Sequence, residues 1–373
     1  MVRLLDAEIL CTRIFDVADT IELERCRALI EKDATGVRRL SLRREGSEYI
    51  QLSDPPLEIE LGFRRTLSVS GSPREVKLNA TLYSHGAISI TVRVPIAKGT
   101  TVEELIPFAD ELYDSDALDA LAKDEVNRLR KVLEPTFEDP HLWDQNEAYS
   151  VILVRKLESA EGATPNADQL LATPGLARLL LGEVKEKVLS KEEELEVLNH
   201  HYSYTPSDLC VIEWNAAFVY EPSGSEDIVD LLEIANAQLL ELRYYDSRLD
   251  TELQRIYDVV GNQTGSLLFS PWKRALREQA QTLIELSEFL ERVENALKIV
   301  GDVYLARVYE AGLQQLRVQR WSEQVGRKHR LLSQTYGLLK GEVDTGRSLT
   351  LETLVVILIV LEILLAVFRV GGH

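Results

Sequence analysis

The segment Ile88-Ser-Ile-Thr-Val-Arg-Val94 alternates apolar and polar side chains without a break. Successive side chains of a β-strand point to opposite faces of a sheet, so this alternation predicts a strand over residues 87–95 with one face on a core. A turn signal, His85-Gly86, directly precedes it. The segment therefore predicts that a β-sheet is the base of the fold.

Similar segments surround this strand and predict an α+β domain over residues 1–222. Short turns rich in glycine and proline separate several of them, which favours a mostly antiparallel sheet with helices. Further strands are predicted over residues 8–16, 37–43, 57–69, 75–83, 149–157 and 209–220. Helices are predicted over residues 101–133, 168–181 and 185–196.

The composition restricts the class of partner. The formal net charge of −19 argues against nucleic acid, which binds through many Lys and Arg side chains, and is compatible with basic partners. The three cysteines are widely spaced and form no CxxC motif, which is typical of reduced, buried thiols.

Residues 223–346 are predicted to form a long helical stem. The first helix covers residues 226–260, with apolar side chains spaced by three and four. The second begins at Ser270 as N-cap with Pro271 in the first turn, and the two helices are expected to form an antiparallel hairpin like a coiled coil. The predicted seam of the second helix consists of Leu276, Leu283, Leu286, Leu290, Val293, Leu297 and Val300.

The apolar stretch near the C-terminus predicts one transmembrane helix over residues 350–370, since about 20 apolar residues match the thickness of a bilayer core. The alternative is a buried C-terminal helix of a soluble protein. Because the first residues do not resemble a signal peptide, the N-terminal bulk is expected in the cytoplasm and the anchor in a bacterial inner membrane.

Glu362 interrupts the predicted span, where a carboxylate costs on the order of 3 kcal/mol. We expect it to be paired or to face protein, unless the helix tilts and places a protonated Glu362 near the interface. At 100° per residue, one face is predicted to join neighbouring spans into a homo-oligomer. That face carries Val355, Ile359, Glu362, Ala366 and Arg369.

Several candidate sites have a simpler structural interpretation. The segment 341–348 resembles a phosphate-binding loop but has Arg347 in place of the lysine and no preceding strand. His200, His201, Asp208 and Cys210 match no common zinc spacing. The sequence therefore predicts no catalytic, cofactor-binding or metal residue.

A basic patch could contact a polyanion, although such a run is more often the solvated face of a helix. It consists of Arg317, Arg320, Arg327, Lys328 and Arg330, with Trp321 among them.

The C-terminal third resembles the required-for-meiotic-nuclear-division family. The segment 320–365 is similar to the end of that family, with Leu351-Glu352 before the apolar run and Glu362 within it. Residues 235–246 are similar in placement to the family's helix after its last strand, so that the resemblance lies mainly in residues 226–368. It implies a divergent, bacterial-looking member that is oligomeric, membrane-anchored and without established enzymatic activity.

The sequence therefore favours a non-enzymatic, C-terminally anchored homo-oligomeric scaffold or tether, whose partners are itself, the bilayer and an unknown protein. One alternative is an oligomeric ion channel or transporter-like assembly with Glu362 lining the pore. Another is an unrecognised enzymatic or ligand site in the α+β domain.

Overall fold

The computed structural model describes residues 2–30, 37–40, 54–61, 65–69, 71–159, 162–184, 189–261, 284, 287, 303–337, 356, 358 and 359. The chain forms two compact units. The first comprises Met1–Tyr244 and Arg292–Ser322, and the second comprises Tyr245–Glu291 and Glu323–His373. The predicted division at residue 222 stays a prediction.

The strands and helices alternate irregularly along the first unit. The strands are β1 (Val2–Asp16), β2 (Ala18–Ile21), β3 (Val37–Arg39), β4 (Leu57–Glu60), β5 (Arg65–Val69), β6 (Ser72–Leu82), β7 (Ala87–Pro95), β8 (Phe137–Pro140), β9 (Asn146–Ser159), β10 (His201–Tyr202), β11 (Leu209–Ile212) and β12 (Ala216–Tyr220). The helices are α1 (Leu23–Ile30), α2 (Val102–Tyr113), α3 (Asp116–Leu133), α4 (Ala167–Leu171), α5 (Leu176–Leu181), α6 (Lys191–Asn199), α7 (Asp227–Gly261), α8 (Val303–Gln315) and α9 (residues 318–337).

The main sheet is mixed, and the predicted α+β class is confirmed. Its strand order is β10-β11-β12-β9-β1-β7-β6-β4-β3, with β5 paired to β6 outside this path. Neighbouring strands run antiparallel except for β9 and β12, which are parallel. Strands β2 and β8 form a separate antiparallel pair.

One face of the sheet is the apolar core of the unit. The even-numbered β7 residues on this face are aliphatic, and β1 adds Ala7, Ile9, Cys11 and Phe15. Helices α2, α3 and α5 pack on this face. Arg13 is an exception that is only 2 % exposed, and its Nε donates to Asp119 Oδ1 at 2.5 Å. This ion pair attaches the start of α3 to the central strand.

The opposite face is partly polar and is covered by α7. In the paired register, Thr12 lies beside Thr91 and Ile14 beside Ser89, so hydroxyls and aliphatic groups alternate across β1 and β7. Helix α8 packs against α7 closely: a Cβ on Gly312 would come within 2.9 Å of Leu232 Cδ2. Glycine at this position therefore permits the close approach of the two helices.

Three predicted elements are divided in the structure. The segment predicted as one strand over 209–220 is a hairpin, because Glu213, Trp214 and Asn215 form a turn between β11 and β12. Strands β4 and β5 replace one predicted strand, and α2 and α3 replace one predicted helix. Ser115 caps α3, which explains the break, since the N-cap residue leaves the helical conformation.

In the second unit, α9 and the last part of α7 are held together by charge. Lys328 Nζ lies 2.8 Å from Asp246 Oδ1 and 2.6 Å from Asp250 Oδ1. The predicted seam, Leu276 to Val300, lies outside the described residues. The predicted continuous second helix is wrong at Arg317, whose φ of 56° ends α8 and separates it from α9.

The predicted transmembrane helix is contradicted. Within the described ranges, no helix combines the length and the apolar character that crossing a bilayer requires. Of residues 350–370, the structure describes Val356, Leu358 and Ile359, whereas Val355, Glu362, Ala366 and Arg369 lie outside the description. An apolar run predicts a span only if one continuous helix carries it, and the described residues supply none.

The membrane anchor, the coiled coil and the homo-oligomer depended on that span and on the seam. Neither receives support from the described part of the chain, so the three interpretations are withdrawn together.

Candidate functional site

The strongest concentration of charge in the first unit lies where α7 meets the polar face of the sheet. Glu226, Asp230 and Glu233 are spaced by four and three residues, which places them on one side of the helical segment. Polar side chains from six strands surround them. Those side chains are Glu8, Arg38, Glu58, Asn79, Thr91, Arg93 and Arg155, and we call the whole set the α7 clasp.

Two arginines and two glutamates form a closed ring at one end of the clasp. Arg93 Nη2 lies 2.7 Å from Glu8 Oε1 and 2.6 Å from Glu226 Oε1. Arg155 Nη2 lies 2.7 and 2.9 Å from the same two oxygens. Burial opposes ionisation of Glu8, but hydrogen bonds from Arg93 and Arg155 hold the pKa of that carboxyl below its usual value.

Two carboxyl groups that form no salt bridge with the described residues, Asp230 and Glu233, occupy the middle of the clasp. Glu233 accepts hydrogen bonds from the Tyr83 hydroxyl at 3.2 Å and from Thr91 Oγ1 at 3.3 Å. Desolvation raises the pKa of Glu233, and it raises the pKa of Asp230 well above the usual value, with the charge of Glu233 adding to the effect. Both carboxyls therefore retain their protons to a higher pH than they would in water.

Glu58 completes the clasp at the β4 end. It accepts from Arg38 Nε at 2.8 Å and from Asn79 Nδ2 at 2.9 Å. Its side chain is 9 % exposed, so the ion pair with Arg38 is desolvated on the glutamate side. This pair attaches the edge strand β3 to the strands beneath α7.

A histidine, His141, follows β8 and packs against a later part of α7. His141 Nε2 bonds to Asp16, its Nδ1 lies 3.0 Å from the Asp139 carbonyl oxygen, and its ring stacks on Tyr244 at 5.0 Å. Burial opposes the charged ring, but the hydrogen bond and charge of Asp16 raise the pKa of His141 overall. Since both ring nitrogens are occupied, His141 is suited to holding structure rather than to accepting a substrate proton.

The cysteines are not arranged as nucleophiles. Cys11, Cys26 and Cys210 are buried, and burial raises the pKa of Cys11 to about 11. Burial also raises the pKa of Cys210 far above its usual value. A reactive cysteine requires an accessible, stabilised thiolate, and these environments disfavour one.

The residues considered as a metal cluster are engaged locally. Asp208 accepts from the Tyr204 and Thr205 backbone nitrogens at 2.7 and 2.8 Å, and His201 Nδ1 lies 2.6 Å from the Leu198 carbonyl oxygen. Across the described ranges, no group of three or more His, Cys, Asp or Glu side chains has the arrangement of a metal site.

The predicted basic patch is neutralised in part, because Lys328 pairs with Asp246 and Asp250.

The sequence reasoning missed the clasp itself. The available signal was Glu226, Asp230 and Glu233 at helical spacing, beside the apolar residues that were expected to face the core. Acidic residues on that side of a buried helix require partners, which the strands supply.

An exposed tryptophan lies on the surface of the first unit. Trp214 is 63 % exposed at the turn between β11 and β12. The turn is attached to β9, because the Tyr149 hydroxyl donates to the Glu213 carbonyl at 2.9 Å and the Ser150 nitrogen donates to the Asn215 carbonyl at 3.1 Å. A large aromatic side chain is therefore presented on a fixed backbone.

Comparisons with known proteins identify relatives of unknown activity. A family described as "Uncharacterized protein MJ0711, N-terminal domain" matches residues 6–226, which is more than half of the chain. The uncharacterized protein MJ0711 of Methanocaldococcus jannaschii is 27 % identical over 198 residues. That alignment covers 52 % of this chain and 59 % of the relative. No solved structure gives a significant match.

Proposed function

Because the chain belongs to the MJ0711 N-terminal domain family, whose name states no activity, we propose from the geometry that it is a non-enzymatic scaffold. In this proposal the α+β unit binds a partner protein through Trp214. The resemblance to the required-for-meiotic-nuclear-division family also stays a prediction, since it rests on residues 226–368 and the family match ends at residue 226.

The observation that carries the proposal is the exposed Trp214 on its fixed turn. Tryptophan is enriched among residues that dominate protein–protein affinity, and a rigid backbone lowers the entropy lost on binding. Hydrogen bonds from Tyr149 and Ser150 hold the turn before any partner arrives. Trp214 is therefore suited to insert into an apolar pocket of another protein.

The chemistry of the clasp supports the non-enzymatic part. Glu8, Arg93, Arg155 and Glu226 each contact two groups of opposite charge within the ring. A catalytic acid or base must instead be within reach of a substrate proton. The charged groups of the ring form ion pairs that attach α7 to the sheet.

The net charge indicates the character of the partner. With a formal charge of −19, the chain attracts basic surfaces and repels acidic ones during encounter. The proposed partner is therefore a protein with a basic rim around an apolar pocket.

The test is purification of the tagged full-length chain from its native cells, followed by cross-linking and mass spectrometry. We expect a basic partner protein that cross-links near residues 213–216 and that is lost with Trp214→Ala. Val132→Ala is the matched control, since Val132 is 54 % exposed on α3, a different element. Equal recovery of that partner with Trp214→Ala, in a variant of unchanged melting temperature, would contradict the proposed binding surface.

A second measurement addresses the enzymatic alternative. The purified chain is incubated with a metabolite extract, and the extract is profiled before and after. Turnover that is lost in Glu233→Gln would overturn the non-enzymatic proposal, whereas an unchanged extract supports it.

A further inference from the structure

A pocket of about 310 Å³ lies in the first unit between β6, the segment that follows β7, and the start of α2. Ile96, Leu105, Pro107 and Phe108 supply its apolar wall, while Arg74 and Glu104 supply opposite charges. Small-molecule sites in proteins begin at about 300 Å³ and combine apolar side chains with polar groups that orient the ligand. Helix α2 packs on the apolar face of the sheet, so this pocket is distinct from the α7 clasp.

Arg74 is held in place by an aromatic ring and forms no salt bridge with the described residues. It lies on β6 beside Leu67 of β5, and its Cζ is 4.5 Å from the centre of the Phe108 ring. Its Nε is buried and, within the described part of the chain, has no hydrogen-bond partner. A buried guanidinium nitrogen without an acceptor is costly, and a guanidinium group is the side chain that matches a carboxylate best.

Glu104 supplies the complementary charge. Its Oε2 accepts from the Thr101 nitrogen at 2.9 Å and from Thr101 Oγ1 at 3.0 Å, which is half of the capping box at the start of α2. The described residues place no hydrogen-bond donor on Oε1. That oxygen is available to a cationic group of a ligand.

We propose that this pocket binds an apolar α-amino acid. The carboxylate pairs with Arg74, the ammonium group pairs with Glu104, and the side chain packs on Phe108, Leu105 and Ile96. A phosphate or a dicarboxylate fits less well, because Glu104 repels additional negative charge. The pocket volume accommodates a side chain of the size of leucine or phenylalanine.

The test compares three probes by isothermal titration calorimetry on the full-length chain. L-phenylalanine carries both charges, 3-phenylpropionate lacks the ammonium group, and phenethylamine lacks the carboxylate. We expect L-phenylalanine to bind most tightly, with each partial probe weaker by about tenfold or more, the value of one charged hydrogen bond.

Two substitutions separate the charges. Arg74→Met is expected to lower the affinity for L-phenylalanine by about tenfold or more. Arg74→Lys serves as a second variant in case the first is unstable. Glu104→Gln keeps the capping box, since glutamine also serves at that position. Glu104→Gln is expected to lower the affinity for L-phenylalanine while leaving the affinity for 3-phenylpropionate unchanged. Lys77→Met is the matched control, because Lys77 lies exposed on the same strand and does not line the pocket.

Three outcomes would overturn the proposal. The first is that none of the probes produces binding heat at millimolar concentration. The second is that affinity for L-phenylalanine is retained in both Arg74 variants. The third is equal affinity for L-phenylalanine and 3-phenylpropionate together with no effect of Glu104→Gln, which excludes recognition of the ammonium group. Loss of Trp214-dependent partner binding would leave this proposal unaffected.

Discussion

The two faces of the main sheet are built from the same strands but stabilised in different ways. On the face covered by α2, α3 and α5, the strands contribute mostly aliphatic side chains, such as Ile90 and Val92. On the face covered by α7, the next residues of the same strands, Thr91 and Arg93, bind charged groups of the helix. One strand therefore serves both a hydrophobic and an electrostatic interface.

The difference indicates that one interface mainly determines stability and the other mainly determines the position of α7. Apolar burial contributes free energy with little directional preference and little dependence on pH. Buried ion pairs contribute less net stability, because desolvation offsets the attraction, but they tolerate few alternative arrangements. We infer that the apolar face supplies most of the stability and the clasp sets the position of α7.

The largest expected effect belongs to the apolar face. Ile90 is 0 % exposed at the centre of β7, so Ile90→Ala removes buried methylene groups and leaves a cavity. We expect the free energy of unfolding to fall by about 3 kcal/mol. Urea denaturation measures the free energy of unfolding, with Val132→Ala at an exposed position as control. A smaller loss than that of the Arg93 variant described next would contradict the inference that the apolar face supplies most of the stability.

The ring of the clasp is expected to show the next largest effect. Arg93→Met leaves Glu8 and Glu226 with less compensation, and we expect a loss of about 2–3 kcal/mol in the free energy of unfolding. Adding Glu8→Gln removes one of the two negative charges that lost their partner, and it should recover part of the lost free energy of unfolding. Lys123→Met is the control, since Lys123 is exposed on α3, away from the clasp. A double variant no more stable than Arg93→Met would contradict the charge-based explanation.

A substitution at Asp230 should have the opposite sign at neutral pH. Desolvation raises the pKa of Asp230 in the folded state, so stability is present below the pKa of the unfolded chain and is lost as the pH rises through the folded value. Asp230→Asn does not titrate, and we expect it to exceed the wild type by on the order of 1 kcal/mol near neutral pH. Near pH 4 the two should be similar.

Urea denaturation across this pH range measures the effect, and Asp124→Asn on the exposed surface of α3 is the control. If Asp230→Asn were less stable than the wild type at neutral pH and equal to it in acid, the sign of the pKa shift would be wrong.

The smallest expected effect concerns His141. Its pKa is raised in the folded state, so its contribution is fully present below the unfolded value of about 6.5 and is lost as the pH rises through the higher folded value. His141→Gln should therefore destabilise by on the order of 1 kcal/mol in mild acid and by less in alkali. An NMR titration of the ring protons checks the shift. A measured pKa of His141 at or below about 6.5 would refute this explanation.

The sequence predicted the sheet where local patterns were sufficient and failed where distant partners decide the structure. The alternation at residues 87–95 located β7 correctly, and the helix expected over 226–260 matches α7 closely. The hairpin within 209–220 was missed because the turn contains no glycine or proline. Trp214, between Ile212 and Ala216, resembles one more residue of a continuous strand. The clasp was missed because Glu8, Arg93, Arg155 and Glu226 are far apart in sequence.

The predicted membrane span was an inference from composition alone. A span also requires a long helix that carries the apolar residues. Among the described residues, no helix is long and apolar enough.

The position of β1 also has a consequence for how the chain folds. β1 precedes its partners in sequence, yet it lies at the centre of the sheet between β7 and β9, and β9 is completed at Ser159. During synthesis both edges of this long strand remain unpaired until those distant segments emerge from the ribosome. Exposed strand edges promote aggregation, and long-range pairing folds slowly. Slower translation before residue 159 should therefore lower the yield of native protein more than the same pause placed within α7.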